Sequence, residues 1–423
     1  MKKLKVILIG AGNRGQGHTD SMKRDGRFEV VAVAEPIKER RDYIKETHNL
    51  PDEMCFDTYE TLLALPKMAD VAVITTSDSL HYQPAMMALN LGYDLFLEKP
   101  VAPTPEECAD IANLAKEKGA KVIVCHVLRY TNFYSKVKDI ITSGKIGQVI
   151  SVHHNECVGN VHQSHSYVRG NWHNTAESSC MLLAKSCHDI DLIQWLVDSK
   201  CTKVQSFGSL TYFTEANAPE GAPDYCIDGC PHGKDCYYNA VKLYLDDKEN
   251  DWFRDAATGK VKATDDEVEE ALRTTQYGKC VFKCNNDVVD HQIVNMEFEN
   301  GAVASFNMCA FNEGGRYTRI MGTAGELWCD IHNNIISLYD FKTKITEKID
   351  INDGTDSILD GHAGGDTGIV GASYKYMAED IRDEFLSEID ISVENHLTVF
   401  AAEKSRVEGI VVDVFEYKNK YVK

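Results

Sequence analysis

Three glycines near the N terminus have the spacing of a loop that binds a dinucleotide. Gly10, Gly12 and Gly15 form the pattern G-x-G-x-x-G between a short apolar run and a stretch with helical character. Glycine permits a tight turn and lets the backbone approach a pyrophosphate, while the N terminus of the following helix offers unpaired N–H groups. The motif therefore predicts a phosphate-binding loop, which also includes Asn13 and Arg14.

An acidic residue follows this loop at the distance that the motif requires. Glu35 ends the second apolar run, twenty residues after Gly15. A carboxylate at this point can accept hydrogen bonds from the adenine ribose hydroxyls, and it would repel a 2′-phosphate. The sequence therefore favours NAD over NADP as the cofactor.

A polar segment in the second half of the chain holds cysteines that suggest a metal site. Cys226, Cys230 and Cys236 lie close together, and Cys280 or Cys284 would supply a fourth thiolate. Structural zinc prefers four such ligands, and an iron–sulfur cluster would need the same thiolates. The spacing is not that of paired C-x-x-C motifs, so free cysteines in a loop-rich segment are the alternative.

The dinucleotide motif belongs to a regular alternation of strands and helices. Apolar runs recur five times in the first 126 residues, with helical stretches between them, at 4–9, 29–34, 71–75, 94–98 and 121–125. Continuously apolar runs are typical of parallel strands that are buried on both faces. We therefore expect an α/β domain with a doubly wound parallel sheet, a Rossmann fold, over residues 1–126.

The pattern changes after residue 126. Six further runs have strand character, at 149–154, 203–210, 291–298, 302–310, 325–330 and 335–339. Several of them alternate apolar and polar residues, as a sheet covered on one face does. This predicts an α+β domain over residues 127–423 with an open, mainly antiparallel sheet. The segment from about 215 to 285 is rich in Cys, Asp, Gly and Pro and is interpreted as an insertion.

Charge and composition exclude several classes of partner. Acidic residues outnumber basic ones by 65 to 45, so the formal charge of −20 would repel nucleic acid and anionic membranes. The N-terminal apolar run is too short for a signal peptide, and no stretch approaches the ~18 apolar residues of a membrane helix. Most of the 14 cysteines are scattered singly, as free thiols are in a reducing compartment. We therefore expect a cytoplasmic protein.

Five segments in the right order resemble the Gfo/Idh/MocA family of sugar and inositol dehydrogenases. They are Thr75-Thr76-Ser77 with His81, Glu98-Lys99-Pro100, Arg129-Tyr130 with Lys145-Ile146-Gly147, His188-Asp189-Ile190-Asp191, and Asn395-His396. The resemblance implies a carbohydrate or polyol substrate and a homo-oligomer, a dimer or tetramer. It also implies cofactor contacts from Thr75, Thr76, Ser77, His81, Glu98, Lys99 and Arg129.

The same resemblance assigns the chemistry to two residues. Lys99 is expected to hydrogen-bond the substrate hydroxyl and to share the role of base, and His188 has the pKa of a proton shuttle. Many family members carry an Asp four residues before this His, but here that position is Ala184 and Lys185 follows it. Lys185 is therefore a candidate source of charge, and Asp191 is expected to orient the imidazole.

Further polar segments are candidates for the substrate pocket. Arg169, Trp172 and His173 combine polar groups with an aromatic ring, which suits a sugar. The pair Asn155-Glu156 ends a strand of the second domain. A glycine-rich loop over 361–366 holds His362 and Asp366, and it resembles a loop in the NAD-dependent glycosidase branch of the superfamily.

Three functions are consistent with these residues. The first is a dehydrogenase that releases NADH and a keto sugar. The second is a glycoside-cleaving enzyme that oxidises C3 with a retained NAD, eliminates the aglycone across C1–C2, adds water and reduces again. The third is a non-catalytic sensor of a sugar or a dinucleotide. Net turnover of NAD distinguishes the first from the second, and the presence of Lys99 and His188 argues against the third.

Overall fold

A parallel sheet forms the first part of the computed structural model, which describes residues 3–349, 351 and 364–421. Six strands of this described chain lie in the order β3-β2-β1-β4-β5-β6, with every neighbouring pair parallel. The strands are β1 (Leu4–Ile9), β2 (Phe28–Ala34), β3 (Cys55–Phe56), β4 (Val71–Ile74), β5 (Asp94–Leu97) and β6 (Val122–Val124). The helices between them are α1 (Asn13–Asp25), α2 (Lys38–His48), α3 (Tyr59–Leu63), α4 (Tyr82–Asn90) and α5 (Pro105–Lys118). The predicted doubly wound sheet is confirmed.

Burial and helix capping explain why these segments adopt their structure. All four residues of β4 are buried, as expected for a strand with helices on both faces. Helix α5 has a proline at its first position, and the Thr104 hydroxyl accepts a hydrogen bond from the Glu107 N–H at 3.3 Å. The helix ends at Gly119, which has a φ of +62°.

The strand order reverses between β1 and β4, and this places a cleft at their carboxyl ends. Gly10 follows β1, Glu35 follows β2, Thr75 follows β4 and Glu98 follows β5. Doubly wound sheets bind their ligands in the crevice at such a reversal. The topology therefore brings the predicted cofactor residues to one edge of the sheet.

A second, mixed sheet follows in the chain. Among the described residues it has nine strands in the order β14-β13-β12-β11-β7-β10-β9-β8-β15, and within it only β7 and β10 pair in parallel. The strands are β7 (Val149–Cys157), β8 (Cys201–Ser209), β9 (His291–Phe298), β10 (Val303–Cys309), β11 (Gly315–Gly322), β12 (Gly325–Asp330), β13 (Ile335–Asp340), β14 (Ile345–Ile349) and β15 (Val412–Asp413). The predicted mainly antiparallel sheet is confirmed, and β11, β14 and β15 are additions to it.

Helices cover one face of this second sheet. Helices α9 and α13 pack on it, while alternate side chains such as Phe207, Ile293 and Trp328 remain exposed on the other face. The helices of this part are α6 (Asn132–Thr142), α7 (Asn160–Gln163), α8 (Met181–Ala184), α9 (Cys187–Val197), α10 (Asp251–Thr258), α11 (Asp265–Thr274), α12 (Gly365–Glu379), α13 (Ile389–Glu408) and α14 (Val414–Lys418).

Helix α12 returns to the first sheet although it follows the second one in the chain. It packs on α1, and its Tyr374 ring lies 5.8 Å from the Phe28 ring of β2. Ile369 and Val370 of this helix are buried in one core cluster with residues of β1 and β2. The division into residues 1–126 and 127–423 stays a prediction, but the core of the first sheet includes this later helix.

The predicted insertion builds a small core of its own. Tyr244, Phe253, Val268 and Leu272 are buried together with Cys226 between α10 and α11. The His165 ring stacks on Phe253 with a centroid distance of 4.0 Å, which fixes α10 against the rest of the second domain. Among the described residues, no helix combines the length and the apolar character that crossing a bilayer requires.

Candidate functional site

The glycine loop after β1 has the geometry of a dinucleotide cradle. Gly10 has a φ of +89°, and a side-chain carbon built there would lie 2.8 Å from the backbone of Thr75. A carbon built at Gly15 would lie 2.2 Å from the Gly10 carbonyl oxygen, so α1 can approach β1 only with glycine at this position. Gly12 begins α1 without a side-chain cap, which leaves the first N–H groups for a pyrophosphate. Asn13 is exposed beside them. These features fit NAD.

Glu35 supports this loop from the end of β2. Its carboxylate accepts hydrogen bonds from the backbone N–H of Ala11 at 2.7 Å and of Ile37 at 2.9 Å. A carboxylate has about four acceptor positions, so capacity remains for a ribose hydroxyl. The ribose contact stays a prediction, and the structure adds that Glu35 orders the loop itself.

Arg14, inside the glycine motif, connects three elements through buried ion pairs. Its Nε lies 2.6 Å from Glu98, and its two terminal nitrogens lie 3.1 and 2.8 Å from the carboxylate oxygens of Asp366. Burial alone would raise the pKa of Glu98, but the charge of Arg14 and a hydrogen bond from His18 hold it well below its usual range. Both oxygens of Asp366 are thus engaged by Arg14 on the cofactor side, and its role as a substrate residue stays a prediction.

The loop after β4 is held against the residues after β5. Thr75 donates its hydroxyl hydrogen bond to the Gly10 carbonyl at 2.6 Å. The His81 ring nitrogens lie 2.7 Å from the Pro100 carbonyl and 3.1 Å from the Thr76 carbonyl. His81 is buried, so it positions the loop, while Thr76 and Ser77 remain accessible above the cleft.

Lys99 and His188 approach each other at the base of the cleft. The Lys99 ammonium donates a hydrogen bond to the carbonyl of Ala184 at 2.8 Å, four residues before His188. His188 is 8% exposed, and in the described structure no hydrogen bond occupies either of its ring nitrogens. Burial and the nearby Lys99 charge lower the pKa of His188 well below its usual range, so the imidazole is neutral and can accept a proton.

Two buried histidines lie behind His188: His126, which the sequence did not indicate, and His396, which belongs to the Asn395-His396 segment but was given no role. The His126 ring is 5.7 Å from His188 and 5.6 Å from His396. His396 accepts a hydrogen bond from the Val101 N–H at 3.0 Å, so that ring nitrogen carries no proton. Burial lowers the pKa of His126 to about 4 and that of His396 to about 3. The three rings therefore form an uncharged wall beneath the Lys99 ammonium.

Arg129 and Asp191 form a buried ion pair beside this wall. Arg129 donates two hydrogen bonds of 2.7 Å to the two Asp191 oxygens, and Arg129 is 2% exposed. Asn395 donates a third hydrogen bond to the same carboxylate at 2.5 Å. Asp191 is thus fully engaged and does not orient His188 as predicted. The Arg129 guanidinium binds the Asp191 carboxylate, and its predicted contact with the cofactor stays a prediction.

A polar layer lies on the helix-covered face of the second sheet, next to Lys185. The Lys185 ammonium lies 3.1 Å from Glu156, and Arg316 Nε lies 2.7 Å from Glu156 and 2.8 Å from Asp189. His154 hydrogen-bonds Asp189 at 2.8 Å. The two cations and two carboxylates balance each other.

A cavity of about 500 Å³ opens above this layer, within the size range of small-molecule sites. Its lining combines the charged groups with the insertion: Glu156, Lys185, Arg316, Asn160, His162, Asn250, Trp252 and Phe253. Lys185 is among the predicted residues, and of the predicted pair Asn155-Glu156 it is Glu156 that lines the cavity. Because strand side chains alternate, Asn155 lies on the opposite face, within 3.4 Å of Asn307.

The other predicted pocket residues are dispersed. Trp172 donates its indole hydrogen bond to Asp78 at 3.0 Å and so joins the second domain to the loop after β4. His173 is buried, with Nδ1 2.7 Å from the Gly170 carbonyl. Arg169 is 1% exposed and donates hydrogen bonds to the carbonyls of Lys279 and Tyr238, so it orders the insertion instead of facing a ligand. His362 lies outside the described residues.

The cysteines of the insertion do not assemble a metal site. Among the described residues, the only three metal-type ligands whose ligand atoms all lie within 4.8 Å of one another are His18, Glu98 and Cys125. Arg14 already binds Glu98 in that group, which disfavours a cation. The sulfur atoms of Cys226, Cys230, Cys236 and Cys280, or of the alternative Cys284, form no such group. The zinc expectation is therefore not supported.

The Arg40 side chain lies between the cofactor loop and the insertion. A side-chain carbon built at Gly12 would lie 4.0 Å from one guanidinium nitrogen of Arg40. A carbon built at Gly259, at the end of α10, would lie 3.8 Å from the other nitrogen. The insertion thus extends from the cavity, where it contributes Trp252, to the phosphate-binding loop.

Comparison with known proteins identifies the family of both parts of the chain. Residues 4–126 match the Gfo/Idh/MocA oxidoreductase family model with an NAD-binding Rossmann fold, and residues 138–353 match the model of its C-terminal α/β domain. YteT of Bacillus subtilis is 25% identical over 338 residues, which cover 74% of this chain and 74% of YteT.

Two further proteins have named substrates or ligands. Inositol 2-dehydrogenase of Salmonella typhimurium is 29% identical over 205 residues, which cover 48% of this chain and 57% of that enzyme. A crystal structure of an inositol dehydrogenase homologue from Azotobacter vinelandii with NADH and myo-inositol aligns with a TM-score of 0.66 at 17% identity, covering 97% of this chain and 98% of that one. Because the two family models together span most of the sequence, the chain belongs to the Gfo/Idh/MocA family of NAD-binding oxidoreductases.

Proposed function

We propose that the protein oxidises a secondary hydroxyl of a sugar, glycoside or polyol with NAD, or catalyses the reverse reduction. The convergence of Lys99 and neutral His188 at the cofactor edge of the first sheet carries this proposal. The named relative acts on inositol, a polyol, which supports the substrate class.

The residues divide the chemistry between them. When bound, the nicotinamide ring supplies a hydride acceptor beside the reacting carbon. The Lys99 ammonium donates a hydrogen bond to the substrate oxygen and stabilises the negative charge that develops there. The neutral imidazole of His188 accepts the hydroxyl proton. The uncharged histidine wall keeps water from this point, because its rings fill the space behind His188.

A panel assay tests this function. Purified protein is mixed with free sugars, inositols and aryl glycosides, while NADH absorbance and aglycone release are followed together with and without added NAD. NADH that accumulates in proportion to one compound would establish a dehydrogenase. Ligand binding without any redox change would instead favour the sensor.

A second candidate is the glycoside-cleaving enzyme that retains its NAD. The position of Arg40 between the phosphate loop and the end of α10 favours it, because an insertion close to that loop would slow release of the cofactor. A second reason is that this chain has Ala184, followed by Lys185, at the position where many family members carry an Asp. Aglycone release without net NADH would support this alternative.

We further propose that the protein is a homo-oligomer, a dimer or tetramer, formed through the open face of the second sheet. Phe207, Ile293, Val303 and Trp328 are exposed on this face, and exposed apolar patches of this kind mark protein contacts. Light scattering of wild type and of Trp328→Glu tests the proposal. A monomeric wild type would refute it.

The cytoplasmic location also stays a proposal. All 14 cysteines have free thiols in the structure, including pairs that are close in sequence, and free thiols persist in reducing compartments. Fractionation of the source cells would test this location.

A further inference from the structure

The cavity beside Lys185 holds an aromatic side chain that the catalytic residues do not explain. Trp252 begins the first turn of α10 in the insertion, lines the cavity and is 43% exposed. Its ring lies 5.4 Å from His162 and 4.9 Å from His165, both edge-on. An indole that is held in place and is partly exposed is suited to bind a flat or apolar ligand surface.

The fold keeps this indole in a fixed position. Phe253, the next residue, stacks on His165 at 4.0 Å. Arg254 donates hydrogen bonds to the carbonyls of Tyr244 at 2.9 Å and Ala263 at 3.0 Å, which anchor α10 from its buried side. A rigid aromatic platform loses little conformational entropy when a ligand binds.

The opposite wall of the cavity is polar and its charges nearly balance. The lining holds two cations, Lys185 and Arg316, and two carboxylates, Glu156 and Glu313, and the buried Asp189 pairs with Arg316 behind it. Burial and the Lys185 charge lower the pKa of His162 to about 2, so this ring is neutral as well. Such a wall offers both donors and acceptors to hydroxyl groups, while its charge balance gives no reason to prefer an acidic ligand.

The cavity lies beside the reaction centre but is separate from it. Neither Lys99 nor His188 is among the described residues that line it, although Lys185 follows Ala184, whose carbonyl binds Lys99. A single ring therefore cannot both react at Lys99 and stack on Trp252 if it fills the cavity. The site at Lys99 and the cavity beside Trp252 together suit a ligand with two connected rings.

We infer that the substrate is a neutral glycoside whose second ring stacks on Trp252, while the ring that is oxidised lies at Lys99 and His188. This inference rests on the proposed function. It means that the insertion makes the protein bind a glycoside in preference to a free sugar. Trp252 is then a specificity-determining residue, and Glu156, Lys185 and Arg316 hydrogen-bond the hydroxyls of the second ring.

Calorimetry on the NADH-loaded protein tests the inference by binding, so it does not depend on turnover. The probes are glucose, galactose and N-acetylglucosamine, each with its phenyl glycoside and a disaccharide that carries it at the non-reducing end. The variants are Trp252→Ala, Trp252→Phe and, as a control in the insertion, Tyr237→Ala, which is 78% exposed and lies outside the cavity lining.

We expect at least one glycoside to bind at least tenfold more tightly than its free sugar. This advantage should be lost in Trp252→Ala, partly kept in Trp252→Phe and unchanged in Tyr237→Ala. Equal binding of sugar and glycoside, no binding of any glycoside, or an advantage that survives Trp252→Ala would overturn the inference. Oxidation of free sugars at Lys99 with no glycoside preference would refute the Trp252 subsite and leave the proposed function intact.

Discussion

Lys99 of the first domain donates a hydrogen bond of 2.8 Å to the carbonyl of Ala184 in the second domain. The contact joins the loop after β5 to the segment that leads into α9. It places the Lys99 ammonium near His188, in a region where the charge of Lys99 lowers the pKa of the imidazole. The proposed reaction centre is therefore built from both domains.

The glycine loop can be tested by a single methyl group. Gly10→Ala should weaken NADH binding at least tenfold, because the added carbon would lie 2.8 Å from the Thr75 backbone and φ is +89°. Fluorescence titration with NADH measures the effect. Gly17→Ala is the matched control on α1, where no heavy atom lies within 4 Å, and it should stabilise the helix by up to about 1 kcal/mol. Wild-type NADH affinity in Gly10→Ala would contradict the cradle.

The protonation state of His188 predicts the acid side of the pH profile. Because its folded-state pKa is lowered below 6.5, the neutral base persists as the pH falls through 6.5 and is lost only further down. The acid limb of kcat/KM should thus lie below pH 6.5, and His188→Gln should lower kcat by roughly 10²–10⁴. His232→Gln, an exposed change in the insertion, serves as the control. A His188-dependent limb at or above pH 6.5 would argue against this role.

The pair between Arg14 and Asp366 should matter for both stability and cofactor binding. Asp366→Ala removes two hydrogen bonds that fasten α12 to the phosphate loop, so we expect a loss of about 1–2 kcal/mol and weaker NADH binding. Urea denaturation and NADH titration measure the two effects. Glu379→Ala, an exposed change at the other end of α12, should cost less than about 0.5 kcal/mol. Equal effects of both variants would show that the pair is unimportant.

The buried histidine wall predicts a loss of stability in acid. The unfolded chain binds a proton at His126 near pH 6.5, whereas burial lowers the folded-state pKa to about 4. The stability contributed by the neutral ring is present above pH 6.5 and falls by about 1.4 kcal/mol per pH unit below it, on the order of 3 kcal/mol by pH 4.

Carboxylates also titrate between pH 6.5 and pH 4, so the contribution of His126 is measured by comparing the wild type with a variant that lacks this ring. The free energy of unfolding of His126→Asn should decline less steeply with acid than that of the wild type between pH 6.5 and pH 4. Denaturant titrations at several pH values give both slopes. Parallel slopes would mean that His126 is not held neutral in the fold.

The first domain could be predicted because its signals are local. Continuous apolar runs and the glycine pattern follow from burial on both faces and from one tight turn, and both are visible in short stretches of sequence. Strand β11 escaped prediction because Gly314 precedes it and Gly315 begins it, with φ values of +109° and +106°, and glycine pairs are typical of loops.

The substrate side was harder to predict because partners there are distant in sequence. Arg169 is bound by carbonyls of Tyr238 and Lys279, which no local pattern could indicate. Alternation along β7 could have placed His154 and Glu156 on the face opposite Asn155, so that error was avoidable. Trp252 carried no signal in the sequence, since its role depends on how the insertion packs on His165.

The most direct test is a single-turnover measurement on NAD-loaded protein. A compound identified in the panel is mixed with wild type and with Lys99→Ala, and reduction of the bound nicotinamide is followed over time. This step is common to the dehydrogenase and to the glycoside-cleaving enzyme, so the result does not depend on NADH release. The account predicts rapid reduction in the wild type and a rate roughly 10²–10⁴ lower in Lys99→Ala, measured with the cofactor saturating in both proteins. Reduction at the wild-type rate in Lys99→Ala would contradict it.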